Sequence, residues 1–537
     1  MIAMTQTHDF QISQFLRRPM GDNAASGSSP CKQPYFGSQS DGIRLSTLLE
    51  SLETKRVDYP SRQVVRALVW DSRQVVPGSV FFAIEGEKHD GHRFIPDAIA
   101  RGAVAVVSEN STLKRNDITT VIVENTRVAL ARMALRFYDH PDQKLNLFGV
   151  TGTNGKTTVS RMIQYMVEQK GAPCGLIGTI EYALGGRVLP AHRTTPEVDE
   201  ICALLSEMVT NGCRDAVMEV SSHGISQHRV HGLSYKVLAF LNLTPEHLDY
   251  HSDMEAYYRA KASVFKGASN SLPLAAVINV DDPYGVRLWG ELDASVRKLS
   301  VGISEDADFR AENIEVGRDG TSFDFCYPGG RKRIRTPLLG DYNVLNILAA
   351  VACVHLSGKP VAGLLRKIQG FSSVPGRLER VDAGQSYLAL VDYAHTPDAL
   401  EKVLTTLRGV TEGRLLVVFG CGGDRDREKR PIMMQIACRL ADWVCATSDN
   451  PRSEDQSFIF EEMLAGAIPS VPVVTIADRE DAIAAAAAEA RPGDTLVVAG
   501  KGHEAYQIFA NTIVPFDDRT VLKHAINACA DLETSRI

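Results

Sequence analysis

Gly152, Thr153, Asn154, Gly155, Lys156, Thr157 and Thr158 form a string that could bind phosphate. The apolar run LNLFGVT precedes it and an amphipathic stretch follows, so the expected context is strand, turn, helix. Glycines let backbone N–H groups converge at a helix start, where an anion is stabilised. Lys156 would add positive charge, and the Thr157 hydroxyl could reach Mg²⁺. Only two residues separate Gly152 from Gly155, so this is not the common phosphate loop with four. Read alone, the string could also be a Gly-rich turn without a ligand. Its flanks favour phosphate.

Other reactive residue types are weaker signals one at a time. Glu219 in MEVSSHGISQHRV reads as a buried carboxylate paired in a core, and His247 in NLTPEHLDYH as a helix cap. Lys261 in MEAYYRAKASVF reads as a solvated lysine, the default for its type. Asn279, Asn343 and Asn346 suit turns or caps.

Positioning these groups takes an α/β framework. The strands CGLIGTI, AVMEVSS, KVLAFLNLT and LPLAAVINV alternate with helical stretches after the phosphate loop. A second series begins near residue 385 with YLALVDYA, RLLVVFG, WVCATSD, PVVTIAD and DTLVVAG, interleaved with helices such as PDALEKVLTTL and REDAIAAAAAEA. This order predicts mostly parallel sheets with helices on their faces. Pro and Gly in SSVPGRLERV, residues 372 to 381, break a helical run and mark a boundary. Residues 1–43, polar and rich in Gly and Ser, are expected to be a disordered extension.

With 537 residues the chain is too long for one ordinary domain. Hydrophobic residues at 44% and charged residues at 23% are ordinary for a globular protein. A net charge of −7 gives no reason to expect nucleic acid as a partner. The ten cysteines form no C-x-x-C pair and mostly sit in apolar segments, which suits reduced thiols in the cytoplasm. No apolar run is long enough to span a bilayer and no signal-peptide pattern opens the chain. The expectation is therefore a cytoplasmic protein without a membrane partner.

The phosphate-loop string resembles the shortened loop of the Mur ligases and folylpolyglutamate synthetases. Further strings narrow the match: MEVSSHGISQHRV, NLTPEHLDYH, GDYNVLNILAA, VPGRLERV, DYAHTPDAL, FGCGGDRDREKRP, SDNPRSED and GKGHEAYQ. One such string would be weak, but eight in order are specific. Over roughly residues 44 to 520 the chain resembles the Mur ligase family, in its tripeptide-forming branch. The implied architecture has a UDP-binding N-terminal domain at 44–142, a central P-loop ATPase domain at 143–371 and a Rossmann-like C-terminal acceptor domain at 372–537.

The resemblance implies an ATP-dependent ligase of peptidoglycan synthesis, serving cell shape and division and acting as a monomer. ATP would phosphorylate the free carboxylate of UDP-MurNAc-L-Ala-D-Glu, and the acyl phosphate would be attacked by an amine. It implies Mg²⁺ held by Thr157, Glu219, His247 and Lys261, the last as a carbamylated lysine, with Lys156 completing the catalytic set. ATP would also meet Asn279, Asn343, Asn346, Arg377, Asp392 and His395. The UDP-sugar peptide would meet Ser72, the Glu87–Lys88–His89 segment, Thr194, Thr195, Ser221, Gln227 and Arg229. Arg193 stands where the family usually has Asn before the paired threonines, and unlike Asn it cannot accept a hydrogen bond.

The acceptor pocket that the resemblance implies is Arg425, Asp449, Asn450, Pro451, Arg452, Gly500 and Glu504, a set that offers the cations a zwitterion's carboxylate needs and the anions its ammonium needs. Lysine-adding relatives typically carry a smaller or neutral residue at the position of Arg452, so Arg452 points to meso-diaminopimelate. Three alternatives remain. DNPR argues against a lysine-adding homologue, and DSR with RTTP against a folylpolyglutamate synthetase. A non-catalytic ATP-binding scaffold of the same fold would be signalled by loss of Lys156, Glu219 or Lys261, and all three are present.

Overall fold

The structure, a computed structural model, describes residues 42–58, 63–86, 89–268 and 270–534. The expected extension at 1–43 lies outside these residues except for its last two, and so do Glu87 and Lys88. The described chain forms two compact units that part between Val374 and Pro375.

The first unit contains two large sheets. A five-stranded sheet runs in the order Thr54–Asp58, Thr119–Val123, Ala103–Ser108, Ser79–Phe82, Ala67–Val69. It is parallel apart from the first strand. The helix Thr126–Phe137, capped by the Asn125 side chain on the Val128 N–H, packs against the helix Val198–Thr210. One apolar cluster therefore joins Val80 and Leu130 of this region to Ile201, Leu205 and Leu238 beyond it.

The second sheet has eleven strands. Its parallel centre runs Cys174–Ile177, Asp215–Glu219, Asn146–Thr151, Val237–Phe240, Ala275–Asn279, Arg297–Gly302, Phe309–Gly317. Antiparallel strands Glu181–Ala183 and Val188–Pro190 extend one edge, and Gly320–Tyr327 and Gly330–Thr336 the other. Strands covered on both faces read as continuous apolar runs, which is why LFGV, AVM and VLAF gave themselves away in the sequence. The helices Lys156–Val167 and Asp341–Leu356 cover one face through Val159, Ile163, Ile347 and Val351. The chain leaves Asn146–Thr151 toward Cys174–Ile177 on one side and later crosses from Asp215–Glu219 to Val237–Phe240 on its other side, and ligands of such sheets bind outside the carboxyl ends at such a reversal.

The second unit is a six-stranded sheet ordered Glu379–Arg380, Leu388–Asp392, Thr495–Ala499, Leu415–Phe419, Trp443–Ala446, Val473–Thr475. All but the first strand are parallel. Val391, Leu416, Val498, Ile483 and Leu522 give it a core of its own. Both units are α/β, as the alternation of runs predicts. The described cysteines form no disulfides with one another, and all but Cys529 are buried. Among the described residues no helix is long and apolar enough to cross a membrane.

Candidate active site

The strand Asn146–Thr151 delivers the Gly-rich turn directly to the helix Lys156–Val167. Gly155, at φ +88°, occupies the position before the first helical turn, and a Cβ there would meet Asn346 Oδ1 at 2.5 Å. Only glycine suits that place on both counts. The loop is pinned by the next strand's exit: Asn154 N–H donates to Asn242 Oδ1 at 2.8 Å, and Thr153 N–H to the Asn242 carbonyl at 3.0 Å. Lys156 Nζ folds back on the loop, 2.9 Å from the Gly152 carbonyl and 2.8 Å from that of Thr153. Thr158 is buried beneath.

Glu219 is the hub of this site. It ends the neighbouring strand and is buried. Thr157 Oγ1 donates to its Oε2 at 3.0 Å. The Thr179 N–H and hydroxyl donate to Oε1 and Oε2, each at 2.9 Å. The Glu219 carbonyl accepts from Thr195 Oγ1 at 2.8 Å. One acidic residue thus ties the phosphate loop to the paired threonines. A loop hydroxyl beside a carboxylate is a hard-oxygen donor pair of the kind that suits Mg²⁺. Among the described residues no group of three or more His, Cys, Asp or Glu gathers to hold a metal.

Lys261, on the helix Met254–Ser263, is fully buried, against the default reading of a solvated lysine. Its Nζ donates to the Gly152 carbonyl at 2.9 Å, the same oxygen that Lys156 approaches. Burial first, and then the neighbouring Lys156 charge, pull its ammonium well below the ordinary lysine range. His247 sits at φ +57° at the head of the short helix Leu248–His251, with its ring 4.7 Å from that of His223.

Of the residues expected to meet the UDP-linked peptide, Thr194, Thr195, Ser221, Gln227 and Arg229 join Glu219 in one hydrogen-bonded group. Thr194 Oγ1 lies 3.0 Å from Thr179 Oγ1. Thr195 Oγ1 accepts from the Ser221 N–H at 3.0 Å, and Ser221 caps the helix that follows. Arg229 donates to the Thr195 carbonyl at 3.0 Å and to Gln227. Arg193 is engaged by Glu197 at 2.6 Å, and Glu197 also lies 3.1 Å from Arg229 and 3.6 Å from Arg127. Ser72 is buried apart from this group, in the turn Ser72–Gln74.

Asn343 and Asn346 lie in the helix Asp341–Leu356, bonded to each other at 3.0 Å, rather than in a turn. Asn279 Nδ2 donates to the Leu241 carbonyl at 2.7 Å. In the second unit, Asp392 accepts from the Leu378 and Ala394 N–H groups at 2.7 and 2.8 Å. Burial pushes its carboxyl up, and the Arg377 charge opposes the shift. Arg377 stacks on the Tyr393 ring at 4.7 Å, and His395 Nδ1 pairs with the Tyr393 carbonyl at 2.8 Å.

The zwitterion set is assembled at the ends of parallel strands in the second unit. Gly500, at φ +112°, brings the backbone so close to Asp449 that a Cβ would meet Oδ2 at 2.9 Å. Arg452 takes φ +53°, a left-handed conformation unfavourable for a long side chain. Its backbone is clamped by the Ile508 carbonyl at 3.1 Å and the Ala510 N–H at 2.6 Å. Its Nη1 donates to the Gly423 carbonyl at 2.7 Å. Burial, followed by Arg425, lowers its pKa. Arg425 is exposed and contacts the Asp424 carbonyl at 3.0 Å. Pro451 is buried between Asn450 and Arg452. Asn450 Nδ2 donates to Glu504 Oε2 at 3.1 Å. Sequence reasoning did not single out Thr179, Asn242, Glu197 or Lys501. Asn242 and Lys501 stood in strings that carry the family resemblance, whereas Thr179 stood only in CGLIGTI, read as a strand.

Three family profiles match in succession: Mur ligase family, catalytic domain, at residues 64–138; Mur ligase middle domain at 150–354; and Mur ligase, glutamate ligase domain, at 376–502. Proteins of Solibacter usitatus and Geobacillus thermodenitrificans named UDP-N-acetylmuramoyl-L-alanyl-D-glutamate--2,6-diaminopimelate ligase are each 44% identical over 90% of this chain, which spans 98% and 99% of their lengths. A solved structure bearing the same name is 34% identical, covers 90% of this chain and 99% of its own, and superposes with a TM-score of 0.65. The chain belongs to the Mur ligase family.

Proposed function

We propose that this chain is the ATP-dependent ligase that adds meso-diaminopimelate to UDP-N-acetylmuramoyl-L-alanyl-D-glutamate in peptidoglycan synthesis. It acts in the cytoplasm, as a monomer, on small-molecule substrates. The observation that carries the reading is Glu219, which joins a phosphate loop to paired threonines within one hydrogen-bonded group. A phosphoryl donor and a carboxylate acceptor need that adjacency. The names of the 44% identical relatives support the choice of substrates. The three-domain division at about residues 142 and 371 is part of the proposal.

Phosphoryl transfer to a carboxylate needs positioning and charge neutralisation more than covalent help. The loop N–H groups would receive the β- and γ-phosphates at the helix start. Lys156 would exchange the Gly152 and Thr153 carbonyls for phosphate oxygens. Asn279, Asn343, Asn346, Arg377, Asp392 and His395 would hold the rest of ATP. Thr194, Thr195, Ser221, Gln227 and Arg229, with Ser72, would aim the glutamyl carboxylate at the γ-phosphorus. Arg425, Asp449, Asn450, Arg452, Gly500 and Glu504 would then present the amine to the acyl phosphate, giving an amide and phosphate.

Thr157, Glu219, His247 and Lys261 would hold Mg²⁺, which when bound supplies positive charge against the phosphates. Lys261 contributes as an anion. Burial and the neighbouring Lys156 charge favour its neutral amine over the ammonium, and the neutral amine is the form that adds CO₂ to give a carbamate and a proton.

Phosphate release measured with UDP-MurNAc-dipeptide, ATP and a panel of amines tests the reading. Release should depend on meso-diaminopimelate and disappear in Lys156→Ala. A preference for L-lysine would sink the substrate assignment, and an active Lys156→Ala the loop assignment.

A further inference from the structure

Lys501 is fully buried, between two residues of the proposed acceptor set. Its Nζ donates to Asn450 Oδ1 and to Glu504 Oε2, each at 3.1 Å. Asn450 Nδ2 donates to that same Glu504 oxygen at 3.1 Å, so the three side chains close a triangle. Asn450 Oδ1 also accepts the Ile508 N–H at 3.0 Å. The triangle saturates Glu504 Oε2 and Asn450 Oδ1. Among the described residues Glu504 Oε1 accepts no hydrogen bond, and one Asn450 Nδ2 hydrogen is left over.

A buried cation is a poor device for stability, because an apolar residue of similar volume often serves as well or better. Arg430 and Arg479, also fully buried, hold backbone carbonyls of Gly422, Ser448 and Ala499 as well as carboxylates, which is a fold-building pattern. Among the described residues Lys501 donates to no backbone carbonyl; it holds two side chains of the acceptor set and lies 5.6 Å from the centre of the Tyr506 ring.

We propose that Lys501 is a positioning residue for the acceptor amino acid. It fixes the rotation of the Glu504 carboxylate and the Asn450 amide, so that Glu504 Oε1 faces the incoming ammonium and the spare Asn450 N–H a carboxylate. The inference rests on the ligase reading above.

The test is steady-state kinetics on full-length Lys501→Met and Lys501→Gln, with meso-diaminopimelate varied at saturating ATP and UDP-MurNAc-dipeptide. Loss of a charge-assisted contact that acts on binding should raise KM for diaminopimelate roughly 10- to 100-fold, with kcat and the KM for ATP changed less than about threefold. Lys501→Gln, which keeps an uncharged donor, should be milder than Lys501→Met. In a Glu504→Gln background, adding Lys501→Met should matter less than about threefold, because residues acting through one another are not additive. Unchanged KM in both variants, or full additivity with Glu504→Gln, overturns the proposal. So does loss of the fold in both, since Lys501 would then be a structural cation. Wild-type enzyme assayed in parallel separates the readings: no activity with diaminopimelate there removes the ligase assignment instead.

Discussion

Arg452 concentrates the question of substrate choice in one guanidinium. A planar, permanently charged fork suits a carboxylate through two parallel hydrogen bonds. In the ligase reading its partner is the distal carboxylate of diaminopimelate, which lysine lacks. Truncating one member of a desolvated charge pair costs about 2–5 kcal/mol. Arg452→Ala should therefore lower kcat/KM for diaminopimelate by roughly 30-fold to a few thousandfold, at about 1.4 kcal/mol per tenfold. The KM for ATP should stay nearly constant. A mutant whose ratio of diaminopimelate to lysine use equals the wild-type ratio would remove Arg452 from that role. Lys261 makes a second prediction at this scale. Lys261→Ala should cut phosphate release about 10- to 100-fold, as loss of metal-site support commonly does. A short carboxylic acid in the assay should restore part of it by replacing the carbamate. Full activity of the mutant in CO₂-depleted buffer would argue that no carbamate is used.

At the scale of elements, the helix Val198–Thr210 carries an unusual titration. Asp199 is fully buried, and burial first, then Glu197 and Glu200, push its carboxyl up to about 8. An unfolded Asp titrates near pH 4, at about 3.9. Between about pH 4 and 8 the folded chain binds a proton that the unfolded chain has lost, so stability falls as pH rises through that window. Asp199→Asn should flatten that slope and raise the melting temperature at pH 8 by a few degrees, with little change at pH 4. A melting profile with wild-type slope would discard the assignment. The element scale also shows what sequence could carry. The strand, turn and helix from Asn146 to Val167 were legible because an apolar run, glycines and an amphipathic stretch each demand one local structure. The meander from Phe309 to Thr336 was not: its strands alternate buried and exposed residues among many charges, so no continuous apolar run announces them. Lys261 and Lys501 were illegible as buried residues, because nothing local distinguishes a lysine whose partners lie far along the chain. Lys261 reaches Gly152 across 109 positions and Lys501 reaches Asn450 across 51. The motif match drew attention to the first; the second stood within the matched string GKGHEAYQ but was given no role there.

At the scale of the molecule, the two units differ in the residues they carry. Phosphate loop, Glu219 and paired threonines belong to the first, while all seven proposed acceptor residues belong to the second. The second has its own sheet and its own apolar core. A fragment of residues 375–537 should therefore fold alone, bind meso-diaminopimelate and hydrolyse no ATP. Ligand at 100 times its dissociation constant should stabilise the fragment by about 2.7 kcal/mol, seen as a rise in melting temperature. A fragment that folds but melts at the same temperature with and without the amino acid would show that the acceptor residues need the rest of the chain to bind it.

The left-handed backbone at Arg452 bears on how such an enzyme could change over time. That conformation costs an ordinary side chain about 1–2 kcal/mol, whereas Asn adopts it readily. Arg452→Asn would relax the backbone, lose the Nη1 bond to the Gly423 carbonyl and delete the charge to which the ligase reading assigns the choice between acceptors. In the ligase reading, position 452 is thus a site where backbone strain and substrate recognition pull against each other.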